Sequence, residues 1–205
     1  MDRKPPRRFE LHPNMRAALH DALDRTLNQG YHASKVVEYN LKANKKWGSR
    51  DRRLFAETLY DVVRWRPRLA WAAQAQEDQI TFLLAAWLDL QSETPKPDLL
   101  ERWNNAPDLQ TAEAMPDWLH DRGEAEYGHD WGSIAAALNT QAPLFVRANS
   151  LKGSLDQAVA ALKAEEVITR TRGGSAIEVV KRQNVFTTKA FKDGWFEVQD
   201  LGSQD

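Results

Sequence analysis

The sequence predicts an all-α helical bundle followed by a small α+β domain, and three observations support this fold class. Up to about residue 140, apolar residues recur at the spacing of a buried helix face. After Pro143 they alternate or form short runs, which is typical of strands. The composition, 42% hydrophobic and 28% charged, is ordinary for a globular chain. The change of period places the domain boundary at Gln141-Ala142-Pro143, so the predicted domains are residues 1–142 and 143–198.

The sequence pattern predicts seven helices in the first domain. Leu19, Leu23 and Leu27 share the face of the first helix, and Gly30 is its predicted C-terminal cap. A second predicted helix is capped by Ser34 and ended by Gly48. A third runs from Ser49 to Arg66, where Pro67 should stop or kink it. Four more helices are predicted over 78–90, 97–103, 116–127 and 130–139.

One helix and four strands are predicted in the second domain. Strands are predicted over 144–148, 167–171, 176–180 and 195–198, with a helix capped by Ser154 after the first of them. Gly173-Gly174 joins the second and third strands. A β-α-β-β-turn-β order suits a small sheet of ferredoxin-like or RNA-recognition-like type.

The composition excludes several classes of site and protein. Without cysteine, the chain has no disulfide, no thiolate zinc site and no thiolate nucleophile. The five histidines are scattered without metal-ligand spacing. The longest apolar run, Phe82 to Leu88, is far shorter than the roughly 20 residues that cross a bilayer. The basic run at residues 1–8 has no apolar stretch behind it, which argues against a secretory signal. We therefore expect a cytoplasmic protein with no membrane partner.

Charge is distributed unevenly along a chain whose net charge is −1. Residues 1–72 hold 16 Lys and Arg against 8 Asp and Glu, whereas residues 73–142 hold 3 against 13. Residues 143–205 are nearly balanced, with 9 against 8. A basic first third in a near-neutral protein favours a polyanion as the partner of that third.

Several separated patches of the chain resemble one known family. Residues 191–204, which begin Phe191-Lys192-Asp193-Gly194-Trp195 and end Gly202-Ser203-Gln204, resemble the start of the catalytic domain of the RNA (cytosine-5) methyltransferases of the Nop2/Sun/RsmB family. Residues 147–152 are similar to the family's Arg, Asn and Lys strand motif, with Ala148 and Ser150 in place of the usual valine and threonine. Residues 49–64, with 116–119 and 127–128, resemble the family's N-terminal domain, which is similar to the NusB antitermination fold.

The resemblance implies a methyltransferase that uses S-adenosylmethionine, acts on ribosomal RNA and attacks the pyrimidine ring with a cysteine. This chain has neither that cysteine nor a Gly-rich cofactor loop. We therefore predict a monomeric, RNA-binding N-terminal region with no catalytic, cofactor or metal site of its own, in which residues 199–205 begin the missing methyltransferase domain. The alternative is a stand-alone helical adaptor that binds RNA or a protein and has no enzymatic activity.

Ten residues are predicted to contact RNA. Guanidinium groups match phosphate oxygens, so the basic face of the third helix and the lysines before it are the main candidates. They are Lys42, Lys45, Lys46, Arg50, Arg53, Arg64 and Arg68, together with Arg147, Asn149 and Lys152 at the end of a strand. The alternative for the helix is a solvated face with Arg53–Glu57 and Arg64–Asp61 pairs. For the strand end it is a loop held by backbone hydrogen bonds. Trp195 and Phe196 are predicted to pack in the core rather than stack on bases.

Overall fold

The computed structural model describes residues 11–204, so the basic run at residues 1–8 lies outside the described part. The chain divides into two compact units, of which the first ends at Asn139 and the second begins at Thr140. The first unit is helical, and the second contains a four-stranded sheet. The predicted fold class, a helical bundle followed by a small α+β domain, is confirmed.

Helices account for nearly all regular structure in the described residues of the first unit. They are α1 Pro13–Leu27, α2 Ala33–Ala43, α3 Ser49–Arg64, α4 Arg66–Ala73, α5 Ile80–Leu90, α6 Pro97–Asn104, α7 Leu109–Ala112, α8 Asp117–Tyr127 and α9 Trp131–Leu138. The apolar faces of α1 to α6 meet in one core, in which Leu19, Phe55, Leu59 and Leu83 are fully buried. A smaller cluster around Trp131 holds α7, α8 and α9 together.

The boundaries of α2 differ from the prediction, and two of the candidate lysines consequently lie outside this helix. The residue before the helix is His32 rather than Ser34, and the last helical residue is Ala43. Asn44 ends the helix because its backbone turns out of the helical region, while its N–H and side-chain amide both bond to the Asn40 carbonyl. Lys45 and Lys46 therefore lie in a loop and not in the last helical turn.

The predicted third helix is two helices in the structure. Trp65 ends α3 and also precedes α4, in which Pro67 occupies the first turn. That position suits proline, because a first-turn N–H has no partner within its own helix. Arg68 consequently belongs to α4, and the prediction that it shares a face of α3 with the other arginines is wrong. The short helix α7 was not predicted.

The second unit has the β-α-β-β-α-β order of ferredoxin-like folds. Its elements are β1 Leu144–Ala148, α10 Leu155–Lys163, β2 Thr169–Thr171, β3 Ala176–Val179, α11 Lys189–Lys192 and β4 Phe196–Val198. The sheet order is β2-β3-β1-β4, and every neighbouring pair is antiparallel. The helix α11 stands where the sequence predicted only a connecting turn.

Alternation along β1 separates a buried face of the sheet from an exposed one. Val146 is fully buried opposite Ile177 and Val198, whereas the neighbouring Arg147 is exposed. Ser154 caps α10 as predicted, because its hydroxyl accepts from the Gln157 N–H and the Gln157 side chain accepts in return. The strand motif thus places its arginine on the open face.

Candidate nucleic-acid interface

Three of the predicted cations surround one cleft in the first unit. Lys45 and Lys46 in the α2–α3 loop and Arg50 in the first turn of α3 line a cavity of about 790 Å³. Its other walls are residues 11–15 at the start of α1, the end of α2 with Trp47, and Asp51 and Leu54 of α3. All three side chains are exposed, and within residues 11–204 none of them forms a hydrogen bond or an ion pair. Their positive charges are therefore available to an anion.

The loop that carries these lysines is held in place by its neighbours. The Trp47 ring packs against the buried Phe55, with 5.0 Å between the ring centroids. One guanidinium nitrogen of Arg52 donates to the Leu41 carbonyl at 2.8 Å, tying α3 to the end of α2. Asp51 also lines the cleft, so Lys45, Lys46 and Arg50 outnumber its one carboxylate by two charges.

Two further predicted cations are exposed but paired. Lys42 donates to Glu38 at 2.7 Å, and this hydrogen bond is the main reason that the pKa of the Glu38 carboxyl is lowered. Arg53 lies 3.8 Å from Glu57, as the solvated-face alternative predicts. Such exposed pairs contribute only about 0–1 kcal/mol, so both cations remain free to exchange partners with a phosphate.

Arg64 does not form the Asp61 pair that the solvated-face alternative includes. It instead donates to the Leu138 carbonyl at 3.2 Å and to the side-chain oxygen of Asn139. Asp61 is partly buried, and loss of hydration together with the charge of Glu57 raises the pKa of its carboxyl. Arg64 thus fastens the end of α9 to the end of α3.

Arg68 has a structural role in the helical unit. Its guanidinium donates twice to the Trp103 carbonyl, at 3.0 and 2.8 Å, and once to the Ala112 carbonyl at 2.8 Å. It also lies 4.3 Å from the centroid of the Trp103 ring. Burial lowers the pKa of this guanidinium. Each of its nitrogens already has an acceptor, so this arginine is poorly placed to reach a phosphate.

The three candidates in the second unit occupy different environments. Arg147 is exposed on the open face of the sheet between Ala176 and Glu197, and its side chain has no hydrogen bond or ion pair within the described chain. Asn149 holds its own loop, donating to the Gly194 carbonyl at 2.9 Å and accepting from the Leu151 N–H at 3.1 Å. Asn149 therefore fits the alternative in which it stabilises the loop.

Lys152 and the two aromatic residues near it complete this end of the sheet. The Lys152 ammonium lies 5.6 Å from the centroid of the Trp195 ring. Phe196 is buried on the inner face of the sheet, and Trp195 packs partly against the same core. The structure thus agrees with the prediction that both aromatic residues pack in the core.

One surface cluster of the first unit was not predicted from the sequence. The guanidinium carbon of Arg25 lies 5.1 Å from the ring centroids of both Tyr31 and Tyr39. About half of each tyrosine side chain is exposed. No spacing rule reveals this cluster, because the three residues meet only after the chain reverses between α1 and α2.

Two other kinds of feature are absent from residues 11–204. No group of three or more His, Asp or Glu side chains is arranged to hold a metal ion there. None of the helices in that range has both the length and the apolarity needed to span a bilayer.

Comparisons with known proteins found one matching family model and several similar proteins. Residues 115–185 match the model described as "Methyltr_RsmF/B-like, ferredoxin-like domain". The ribosomal RNA small subunit methyltransferase B of Proteus mirabilis is 24% identical over 93% of the chain, and that of Photorhabdus laumondii is 22% identical over 94%. The chain is thus similar to ribosomal RNA methyltransferases over most of its length, and part of it matches the RsmF/B-like ferredoxin-like model.

The chain is shorter than these relatives. It spans about half of their length, 55% and 54% respectively. The crystal structure of PH0851 shows the same fold, with a TM-score of 0.58 and 14% sequence identity. The match covers 96% of this chain and 55% of the PH0851 chain. The family resemblance read from the sequence is therefore confirmed.

Proposed function

We propose that this chain is the RNA-binding region of an RNA (cytosine-5) methyltransferase that acts on ribosomal RNA and uses S-adenosylmethionine. The observation that carries the proposal is the cleft lined by Lys45, Lys46 and Arg50, whose charges have no partner among the described residues. The relatives supply the substrate class, since those that match most of the chain are named as ribosomal RNA methyltransferases.

Phosphate binding at this cleft follows from its charge and geometry. Two ammonium groups and one guanidinium border a concave surface, and each can neutralise one backbone phosphate. Gly48, the residue before α3, has no side chain to cap the first-turn N–H groups of that helix. Those groups and the positive end of the helix dipole add to the attraction for an anion.

The proposal assigns the chemical steps to residues that this chain does not contain. The chain has no cysteine and so provides no thiolate to attack a pyrimidine ring. Its contribution is to bind and orient the RNA, while S-adenosylmethionine and the nucleophile belong to the remaining half of a protein as long as its relatives.

Fluorescence anisotropy with a labelled fragment of small-subunit ribosomal RNA, measured at several salt concentrations, tests the proposal. The variant Lys45→Gln/Lys46→Gln/Arg50→Gln should bind more weakly. Its log-log salt slope should fall by roughly 0.7–0.9 for each phosphate that the variant no longer neutralises. Lys163→Gln/Lys181→Gln/Lys192→Gln removes the same charge from exposed positions of the second unit and serves as the control.

The outcome separates the proposal from its rivals. If the cleft variant and the control have equal affinities and slopes, RNA binding does not depend on this cleft. If the parent chain does not bind RNA at any salt concentration, the RNA-binding function itself is wrong.

A further inference from the structure

Hydrogen bonds and a tight turn fix the positions of Arg25 and Tyr31 on the surface that they share with Tyr39. Gly30, at a φ of 74°, lets the chain reverse after α1. The Tyr31 N–H then donates to the Arg25 carbonyl at 3.0 Å, which fixes the tyrosine beside the last turn of α1. The Asp24 carboxylate braces this turn by accepting from the Asn28 and Gln29 side chains at 2.8 and 2.7 Å.

Arg25 organises the two rings. Its guanidinium carbon is equidistant from them, at 5.1 Å from each centroid, and within residues 11–204 it has no carboxylate partner. Cation–π contacts of this kind orient the rings, and the guanidinium occupies part of each. The exposed fractions of Tyr31 and Tyr39 are 51% and 59%, so each ring keeps a large area open to a ligand.

Lysines flank the second ring. Lys35, Tyr39 and Lys42 lie four and three residues apart on one face of α2, so they form a continuous stripe along about two helical turns. Glu38 lies beside them and contacts both ammonium groups, Lys42 at 2.7 Å and Lys35 at 3.6 Å. The three cations of this surface outnumber that carboxylate by two charges. We call Arg25, Tyr31, Lys35, Tyr39 and Lys42 the tyrosine surface.

We infer that the tyrosine surface binds single-stranded RNA, with unpaired bases stacking on Tyr31 and Tyr39 and the backbone following Lys35 and Lys42. The inference rests on the proposed RNA-binding function and specifies the form of RNA that is bound. Ring faces are of use only to bases that are unstacked, because the bases of a duplex are already stacked on one another.

The chemistry of the patch favours RNA over a protein partner. The centre of a protein interface is enriched in tyrosine and arginine, but it is depleted in lysine and is more apolar than the rest of the surface. Here the two rings enclose a guanidinium and are bordered by ammonium groups, and no other large apolar side chain of α1 or α2 is more than partly exposed. Alternating cations and aromatic rings are typical of surfaces that follow a nucleic-acid strand.

The test compares two double variants on two forms of one RNA. Tyr31→Leu/Tyr39→Leu keeps apolar bulk but removes the rings, whereas Tyr31→Phe/Tyr39→Phe keeps the rings and removes only the hydroxyls. The probes are a labelled, unstructured RNA of about 12 nucleotides, long enough for one binding site of this kind, and the same RNA annealed to its complement. Affinities are measured by anisotropy for the full chain after circular dichroism and thermal melts have shown that each variant is folded.

We expect the leucine variant to bind the single strand on the order of 10-fold more weakly, with an unchanged salt slope because every cation that neutralises a phosphate is still present. The phenylalanine variant should bind like the parent, and duplex affinity should be the same for all three. Equal single-strand affinity of a folded leucine variant and the parent overturns the inference and leaves the proposed function intact. A parent that binds neither probe, nor the ribosomal fragment, overturns both.

Discussion

The guanidinium of Arg68 stacks 4.3 Å from the Trp103 ring centroid and donates two hydrogen bonds to the carbonyl of the same residue. A third hydrogen bond, to Ala112, joins α4 to α7. One side chain of α4 therefore holds α6 and α7, which have few buried apolar residues of their own. A residue predicted to contact RNA is in fact part of the internal framework of the helical unit.

Replacing Arg68 should affect stability and leave RNA binding unchanged. Arg68→Gln removes donors from two carbonyls and the stacking on Trp103, so we expect a loss of about 2 kcal/mol in the free energy of unfolding. Arg68→Lys should recover only part of it, because an ammonium cannot form the planar fork. Urea titration measures the loss. A folded Arg68→Gln variant that binds RNA several-fold more weakly would contradict this assignment.

Arg53 and Arg64 are both exposed and both belong to the predicted basic face, but they should respond differently to the same substitution. Arg64→Gln breaks the bonds to Leu138 and Asn139, so we expect a loss of about 1 kcal/mol. Arg53→Gln removes only a 3.8 Å surface pair and should stay within about 0.5 kcal/mol of the parent. Thermal melts of the two single variants decide this, and equal melting temperatures would show that the Asn139 contact contributes nothing.

Some features of this fold follow from local sequence and others do not. The face of α1 that carries Leu19 and Leu23, the cap at Ser154 and strand β1 were predicted correctly, since each depends on residues within a few positions of one another. The predicted stop or kink at Arg66 lies one residue after the observed break at Trp65, and a second helix resumes there because its first turn accommodates Pro67.

The same distinction applies to the candidate site. Charge along the sequence identifies Lys45, Lys46 and Arg50 as cations, and all three are exposed at one cleft. It cannot reveal that Arg68 is engaged by carbonyls 35 and 44 residues away. Nor can it show that Arg25 meets two tyrosines across a turn, since such contacts exist only after the helices pack.

Glu165 should make the second unit sensitive to acid. Its carboxylate accepts from the backbone N–H groups of Ala190 and Lys189, both at 2.8 Å, and these bonds lower its pKa. A carboxyl whose pKa is lower in the folded state stabilises that state above its unfolded pKa of about 4.3. That stabilisation is lost as pH falls through the lower folded value. Below about pH 4 the parent should therefore approach the melting temperature of Glu165→Gln, and at neutral pH it should exceed it.

The adjacent glutamate provides a matched control for this measurement. Glu166 is exposed and has no hydrogen bond or ion pair through its side chain within the described chain, so Glu166→Gln should melt like the parent at every pH. Melting curves of the three proteins from about pH 3 to neutral pH, a range that spans the carboxyl titration, give the comparison. A constant difference between the parent and Glu165→Gln across that range would mean that the charge of Glu165 is irrelevant.

Gly123 in α8 should not accept a side chain, because the ring of Trp131 fills the space where its Cβ would lie. A methyl group at position 123 would overlap ring carbons of Trp131, a residue that is only 2% exposed and anchors the cluster of α7, α8 and α9. Gly123→Ala should therefore lower the free energy of unfolding by about 2 kcal/mol despite alanine's higher helix propensity.

Gly132→Ala in α9 is the control, since the nearest atom to its added methyl is a Leu109 carbon at 3.9 Å. It should leave stability unchanged or raise it by about 0.5 kcal/mol. Urea unfolding followed by tryptophan fluorescence measures both, and a Gly123→Ala variant as stable as Gly132→Ala would show that the Trp131 ring moves aside without cost.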